Sequence, residues 1–290
     1  MIVRPLAAWT LALAFCLPLA GHAETPAEAI ARGDAAWARR AEGQVAGKAA
    51  PQPIGEAVTA YEAALALDAT SLEAHWKLMR ALWFQGDYAT TGNEPRQAVF
   101  ARGRDVGERA LDLLSTRFGG RKKLDAMKPA ERARALGSVP EALPIYFWGA
   151  ANWGLWGEEF GTMAAARQGV AGRIRDGAET VIALDERFEQ AGGHRILGRL
   201  HDRAPSIPFF TGWIDHNLGV RELRRAVELA PDYLYNRIYL IEALIEHGDK
   251  VTRGEIDAIL RDLLARSAHP ATLTEDSRIL EQARQLLARP

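Results

Sequence analysis

The sequence has little that would support nucleic-acid binding or disulfide formation. Its 36 basic and 37 acidic residues nearly cancel, and the net charge is −1. A protein that binds a nucleic-acid backbone needs clustered positive charge, so the balance argues against that class of partner. Only one cysteine is present, Cys16, and one thiol cannot form an internal disulfide. The fold must therefore depend on a hydrophobic core.

Long apolar runs are also absent, except at the amino terminus. There a single basic residue, Arg4, precedes an apolar stretch from Pro5 to Ala20, followed by small residues up to Ala23. This order is typical of a secretory signal peptide, and the stretch is shorter than the ~20 residues of a membrane-spanning helix. We therefore predict a signal peptide at residues 1–23. The remainder, residues 24–290, is expected to form a single soluble domain in the periplasm.

Cys16 leaves a second interpretation of the leader open. Bacterial lipoproteins are cleaved just before a cysteine, which would anchor the protein to a membrane by a lipid. Phe15 fits that signal poorly, because a small residue is usual before the cysteine, and the apolar run continues to Ala20. Cleavage after Ala23 would leave a mature chain without cysteine, and hence without thiol catalysis or a cysteine-ligated metal.

Helical repeats organise the rest of the sequence. In residues 57–88, apolar residues recur at the spacing of an α-helix, and a polar turn follows. Ser71 suits the N-cap of the next helix, and Gly86 suits its C-cap. The order of helix, turn, helix and Gly-Asp-Tyr resembles a tetratricopeptide repeat. We predict an all-α fold of stacked antiparallel helix pairs, an α-solenoid.

The repeats are unevenly spaced, which predicts irregular insertions. A copy at 226–249 keeps the turn proline, Pro231, and weaker copies lie at 181–200 and 110–114. Loops are predicted at 43–55, 117–140 (with one short helix) and 204–214. Two final helices are predicted at 253–266 and 274–288. Function is expected to lie in the insertions, because loops tolerate variation and often carry binding residues.

Several segments together resemble one protein family. They are Gly-Gly-His-Arg-Ile-Leu-Gly-Arg-Leu at 192–200, Ala-Pro at 204–205, Ala-Val-Glu-Leu-Ala-Pro-Asp-Tyr at 226–233, and the aromatic segment at 145–154. The sequence resembles the T-component family associated with tripartite ATP-independent periplasmic (TRAP) transporters. The resemblance implies a periplasmic helical protein, commonly a homotrimer. It also implies association with the extracytoplasmic solute-binding subunit, and a pore or cleft for a small, partly apolar ligand.

Aromatic residues form the clearest candidate ligand site. Rings separated by glycine and alanine can line a cleft, although the same rings can simply fill the core. Arg195 and Arg199 are one helical turn apart and could hold a carboxylate, or form ion pairs with acids on a neighbouring helix. The predicted ligand-binding residues are Tyr146, Trp148, Trp153, Trp156, Arg195, Arg199, Phe209, Phe210 and Trp213.

No catalytic signature or cofactor motif is evident. Glu158 and Glu159 are adjacent, and neighbours on a helix point about 100° apart, so an acid–base pair is not favoured. His194 and His201 would lie ~10 Å apart along a helix, too far to share a metal ion. We expect a non-enzymatic protein without cofactor or metal. Two alternatives stay open: a generic periplasmic protein-binding adaptor, and, less favoured, a cell-wall glycoside hydrolase acting through Glu158 or Glu159.

Overall fold

The computed structural model describes residues 23–247 and 252–288. Over these residues the chain forms fourteen α-helices and no β-strand. The predicted all-α fold of stacked helices is therefore confirmed. The predicted signal peptide, including Cys16, lies outside the described residues apart from Ala23, as does the Gly-Asp pair at 248–249. None of the described helices has the length and apolar character needed to span a membrane.

The helices follow one another with short connections. The first seven are α1 (Pro26–Ala38), α2 (Pro51–Leu67), α3 (Leu72–Phe84), α4 (Asn93–Thr116), α5 (Arg121–Asp125), α6 (Pro129–Leu136) and α7 (Ala142–Phe160). The other seven are α8 (Thr162–Arg167), α9 (Val170–Leu184), α10 (Phe188–Arg203), α11 (His216–Leu229), α12 (Leu234–His247), α13 (Thr252–Leu264) and α14 (Leu273–Leu287). A π-helical turn, Gln85–Ala89, follows α3, and a 3₁₀ turn, Pro270–Thr272, precedes α14.

The long helices stack in chain order. Each of α1 to α4 packs on the next, α4 packs on α7, and the order continues through α9, α10, α11, α12, α13 and α14. The short helices α5, α6 and α8 are the insertions that interrupt this array. Helix α7 also contacts α3 and α10, so it lies between the two halves of the stack. One hydrophobic cluster extends from Ala36 to Ala283 and joins both halves.

Side-chain caps fix where some of these helices begin. Thr25 and Glu28 form a capping box at α1, in which each side chain accepts a hydrogen bond from the other's backbone N–H. The Ser71 hydroxyl accepts a hydrogen bond from the N–H of Ala74 over 3.2 Å, so the predicted N-cap of α3 is confirmed.

The predicted C-cap at Gly86 is wrong. Helix α3 ends at Phe84, and Gly86 lies inside the π-helical turn that follows. Packing explains the glycine, because a Cβ at Gly86 would lie 2.4 Å from the ring of Phe100. The turn thereby brings α4 close to α3.

The insertions differ in part from the sequence-based prediction. The loop expected at 43–55 ends earlier, since α2 begins at Pro51, and proline suits the first position of a helix. The segment 117–140 holds two short helices rather than one. Its buried residue Arg132 donates hydrogen bonds to the carbonyl oxygens of Leu124, Asp125 and Met127. The segment 204–214 is irregular, as predicted.

Candidate functional site

A cavity of about 970 Å³ opens between the two halves of the stack. We call it the main cavity. Residues from α1, α3, α7, α9, α10, α12 and α14 line it, together with α8 and the loop after α10. Its volume lies at the upper end of the ~300–1,000 Å³ that is usual for small-molecule sites.

Two sides of the main cavity differ in chemistry. Helices α8 and α9 form the apolar wall, and none of their described lining residues is charged. Its members include Ala165, Ala166, Val170, Ala171 and Ile174. The opposite side, the charged wall, carries rings and ionic groups from α1, α3, α12 and α14 and the segments beside them. Its members include Trp37, Arg40, Arg80, Trp83, Asp87, Tyr235, Tyr239, Glu242, Glu275 and Arg278.

Three of the six arginines that line the main cavity pair with acidic residues. Arg40 pairs with Glu275 over 3.0 Å, and Arg278 pairs with Asp87 over 3.1 Å. Arg199 pairs with Glu242 on α12 and with Asp202. For Arg199, the interpretation as an ion-pair partner of an adjacent helix is therefore confirmed. The Arg199 side chain also lines the main cavity, so the same residue can form these ion pairs and face a ligand.

Two enclosed arginines of the main cavity have no acidic group within ion-pairing distance among the described residues. Arg80 lies with its guanidinium carbon 4.1 Å from the ring centre of Trp37 and 5.1 Å from that of Trp76. Its Nε is buried and has no hydrogen-bond partner there. Arg195 is 8% exposed and lies 4.8 Å from the ring centre of Tyr233. Guanidinium groups remain charged in proteins, so two positive charges without an ion-pair partner among the described residues line this space, which the carboxylates of Glu158 and Glu189 also line.

Arg195 also holds an unusual turn at the edge of the cavity. Glu189, Gln190 and Ala191 all have left-handed backbone conformations, with φ of 47°, 54° and 60°. Left-handed helical geometry costs an L-residue about 1–2 kcal/mol. The Nη1 of Arg195 donates to the carbonyl oxygens of Glu189 and Gln190, each over 3.1 Å. These bonds, and one from Asn236 to Gln190, stabilise the turn.

Close packing explains the glycines that follow this turn. A Cβ at Gly192 would lie 2.3 Å from the ring of Phe147, and one at Gly198 would lie 2.6 Å from Leu223. The segment 192–200 therefore combines glycines that admit neighbouring helices with arginines that face the main cavity.

The structure separates the predicted ligand-binding residues into three groups. Trp148, Arg195, Arg199, Phe209 and Phe210 line the main cavity. Tyr146 and Trp153 instead line a second cavity of about 410 Å³. Trp156 and Trp213 line neither cavity.

Contacts of the last two tryptophans show packing positions. The ring of Trp156 lies between Trp153 and Phe160, with ring centres 5.5 Å and 4.5 Å apart. Trp213 packs against the guanidinium of Arg175 at 4.0 Å and against His201. For Trp156 the core-packing interpretation therefore describes the geometry better than the ligand-facing one.

Sequence reasoning missed most of the charged wall. Trp37, Arg80, Trp83, Tyr235, Tyr239 and Arg278 were not among the predicted site residues. A signal for part of this set is present, since Trp76, Arg80 and Trp83 recur at helical spacing on α3. Which helix faces the cavity follows only from the packed array, in which residues of α1 and α3 line the same space as residues of α12 and α14.

The second cavity is lined by several charged groups, and these are paired with one another or with neighbours. Glu108 accepts a hydrogen bond from the indole Nε1 of Trp153 over 3.0 Å and pairs with Arg173 over 3.1 Å. Arg121 pairs with Glu108 and with Asp125. Trp153 is 6% exposed, so both its ring and its N–H have partners within the protein.

The two adjacent glutamates do not face one space. Glu158 lines the main cavity, whereas Glu159 pairs with Arg96 over 2.7 Å and is not part of the lining. Glu158 is exposed to water on the cavity side, and the protein encloses the rest of the residue. This burial raises the pKa of its carboxyl, and the charges of Arg199 and Arg203 oppose the shift.

The histidines make contacts within the helix stack. The Nδ1 of His194 lies 2.6 Å from Glu222, and the Nδ1 of His201 accepts a hydrogen bond from the N–H of Asp215 over 3.0 Å. Burial lowers the pKa of His201. Within the described part of the chain, no group of three or more His, Cys, Asp or Glu residues is placed to hold a metal ion.

Comparisons of the sequence with known protein families and with curated proteins find no match.

Proposed function

We propose that this protein is a periplasmic, tetratricopeptide-like binding protein that holds a small, partly apolar ligand in its main cavity. We further propose that it acts as the T-component of a TRAP-type transporter, as a homotrimer that binds the extracytoplasmic solute-binding subunit. This is a binding function that needs neither catalysis nor a cofactor. The observation that carries it is the main cavity, with an apolar wall facing a wall of rings and arginines.

The composition of the main cavity supports a ligand rather than water alone. Apolar groups of α8 and α9 offer surface that a ligand would remove from water, which is favourable at roughly 25 cal/mol per Å². Trp83, Trp148 and Tyr239 add flat rings on which a ligand can pack. Phe209 and Phe210 are exposed and line the same cavity, so bound ligand would cover apolar surface that is now in water.

Support for the transporter partner comes from the sequence resemblance and the fold. The segments 192–200 and 226–233, which carry the resemblance, lie on α10 and on the connection from α11 to α12. Both segments contribute to the main cavity, through Arg195, Arg199 and Tyr233. The residues of the resemblance and the candidate binding site therefore coincide in part.

Native mass spectrometry of the protein purified from periplasm tests the ligand and the oligomer together. We expect a trimer that carries a co-purified small molecule, and retention of a solute-binding protein in a pull-down. Gly154→Leu is a suitable blocking variant, because Gly154 lines the main cavity and not the second one, and a Cβ there meets only the end of the Ile174 side chain, at 3.9 Å. This variant should fold and lose the small molecule. A bare monomer without either partner would contradict the proposal and favour a protein-binding adaptor.

A further inference from the structure

The charge of the main cavity indicates what kind of ligand would fit it. Of its enclosed arginines, Arg40, Arg199 and Arg278 each have a carboxylate partner, as described above. Arg80 and Arg195 face the same space without one among the described residues. Removing an unpaired charge from water is costly, whereas a buried charge that meets an opposite charge is stabilised.

Arg80 and Arg195 approach the same part of the cavity. Arg195 donates to the carbonyl oxygen of Glu189, and the carboxylate of Glu189 interacts electrostatically with Arg80. The guanidinium carbon of Arg80 lies over the ring of Trp37 at 4.1 Å, and that of Arg195 lies over the ring of Tyr233 at 4.8 Å. Stacked guanidinium groups keep their in-plane N–H donors available for a carboxylate or phosphate.

The apolar wall defines the other end of the ligand. Helices α8 and α9 offer no charged side chain to the main cavity within the described chain. A ligand with a second charged end would have to desolvate that charge against alanine, valine and isoleucine, which is unfavourable. An apolar chain or ring system fits this wall.

We infer that the ligand is an amphiphile with a single acidic head, which is held by Arg80 and Arg195, and an apolar body, which packs along α8 and α9. This inference rests on the proposed ligand-binding function and narrows its ligand to one chemical class. The head is a carboxylate or a phosphate monoester, which share the geometry that a guanidinium group recognises.

Two fluorescent probes that differ in one charged group provide the test. 8-Anilinonaphthalene-1-sulfonate carries a sulfonate, and N-phenyl-1-naphthylamine has the same ring system without it. We expect one molecule of either probe per chain, with the sulfonate probe bound about tenfold or more tightly, since hydrogen bonds to a charged group contribute that much. Gly154→Leu should weaken binding of both probes by occupying the main cavity.

Arg80→Gln is the decisive variant, because Arg195 also holds the left-handed turn and its loss would disturb the fold. We expect Arg80→Gln to remove most of the preference for the sulfonate probe while the affinity for the neutral probe changes less than about twofold. Arg225→Gln removes the same charge at an exposed pair with Glu186, outside both cavities, and should leave both affinities unchanged. A second variant, Arg195→Lys, keeps the positive charge but loses the planar set of guanidinium N–H donors.

Displacement of the sulfonate probe then identifies the head group. Dodecanoate or dodecyl phosphate should displace it, and dodecanol should do so at least tenfold less well. The acid that displaces the probe at the lower concentration identifies the head group as a carboxylate or a phosphate. Equal affinity for the two probes, equal displacement by dodecanol, or a preference that survives in Arg80→Gln would overturn the anionic class while leaving ligand binding intact. Failure of both probes to bind would instead contradict the proposed function itself.

Discussion

The side chains of Arg195 and Asn236 bind each other and the same carbonyl group. The Nη1 of Arg195 donates to Oδ1 of Asn236 over 3.1 Å, and both residues donate to the carbonyl oxygen of Gln190. Asn236 also donates to the carbonyl oxygen of Ala226, near the end of α11. The pair therefore joins α10, α11 and α12 beside the main cavity and stabilises a strained turn that forms part of its wall.

Replacing Asn236 should destabilise the protein strongly. The side chain is fully buried, and Asn236→Ala would leave the carbonyl oxygens of Gln190 and Ala226 with fewer donors. We expect a loss of about 2–3 kcal/mol in the free energy of unfolding, measured by urea denaturation. Asn217→Ala, at an exposed position of α11, serves as the matched control and should change stability by less than about 0.5 kcal/mol.

Glycine at position 190 should relieve strain. Gln190 has an exposed side chain and φ of 54°, so its backbone adopts a conformation that glycine reaches without steric cost. Gln190→Gly should raise the free energy of unfolding by about 0.5–1 kcal/mol or leave it unchanged. Ala98→Gly, at an exposed position of α4 with ordinary helical geometry, should lower it by about 1 kcal/mol. A loss of equal size in both variants would show that the turn is not strained.

The sequence indicated the fold better than the site, for a physical reason. Helical periodicity, the Ser71 cap and the turn prolines are local signals, and they predicted the all-α stack together with the boundaries of α13 and α14 to within two residues. The turn at 189–191 has no such signal, because it consists of ordinary residues held by Arg195 and Asn236. Its geometry depends on a contact between residues 41 positions apart.

The candidate site depends on still more distant contacts. The sequence singled out the aromatic segment of α7 as a candidate site, yet its rings point to different places, because successive residues on a helix are ~100° apart. Trp148 therefore lines the main cavity, Trp153 the second cavity, and Trp156 neither. The charged wall joins Trp37 and Arg80 to Tyr239 and Arg278, a combination that only the packed array brings together. The transporter assignment, the oligomeric state and the export of the protein stay predictions.

Replacing Phe210 should weaken ligand binding but not stability, whereas replacing Trp153 should lower stability but not ligand binding. Phe210 is 61% exposed and lines the main cavity, so Phe210→Ala should weaken binding of N-phenyl-1-naphthylamine about two- to tenfold without changing the melting temperature. Trp153 is buried and donates to Glu108, so Trp153→Ala should cost about 3–5 kcal/mol and leave the probe affinity unchanged where the protein remains folded. Fluorescence titration and thermal unfolding measure the two effects. Weaker binding in Trp153→Ala alone would place the ligand in the second cavity instead.

The neighbours Glu158 and Glu159 should respond to neutralisation with opposite sign at pH 7. Burial raises the pKa of Glu158 above its ordinary value of 4.5, with Arg199 and Arg203 opposing the shift and Asp87 and Glu159 adding to it. The folded chain therefore holds this proton more tightly than the unfolded chain does. Stability from this group is complete below about pH 4.5 and is lost as the pH rises through the raised pKa.

At pH 7 the ionised carboxylate of Glu158 therefore destabilises the folded state, and Glu158→Gln should raise the melting temperature. The gain should shrink as the pH falls and vanish near pH 4, where wild-type Glu158 is itself protonated. Glu159→Gln is the matched control: it breaks the 2.7 Å ion pair with Arg96 and should lower the melting temperature at pH 7. Thermal unfolding of the three proteins between pH 4 and pH 8 makes the comparison. A lower melting temperature for Glu158→Gln at pH 7 would mean that Arg199 and Arg203 stabilise the ionised carboxylate by more than burial disfavours it.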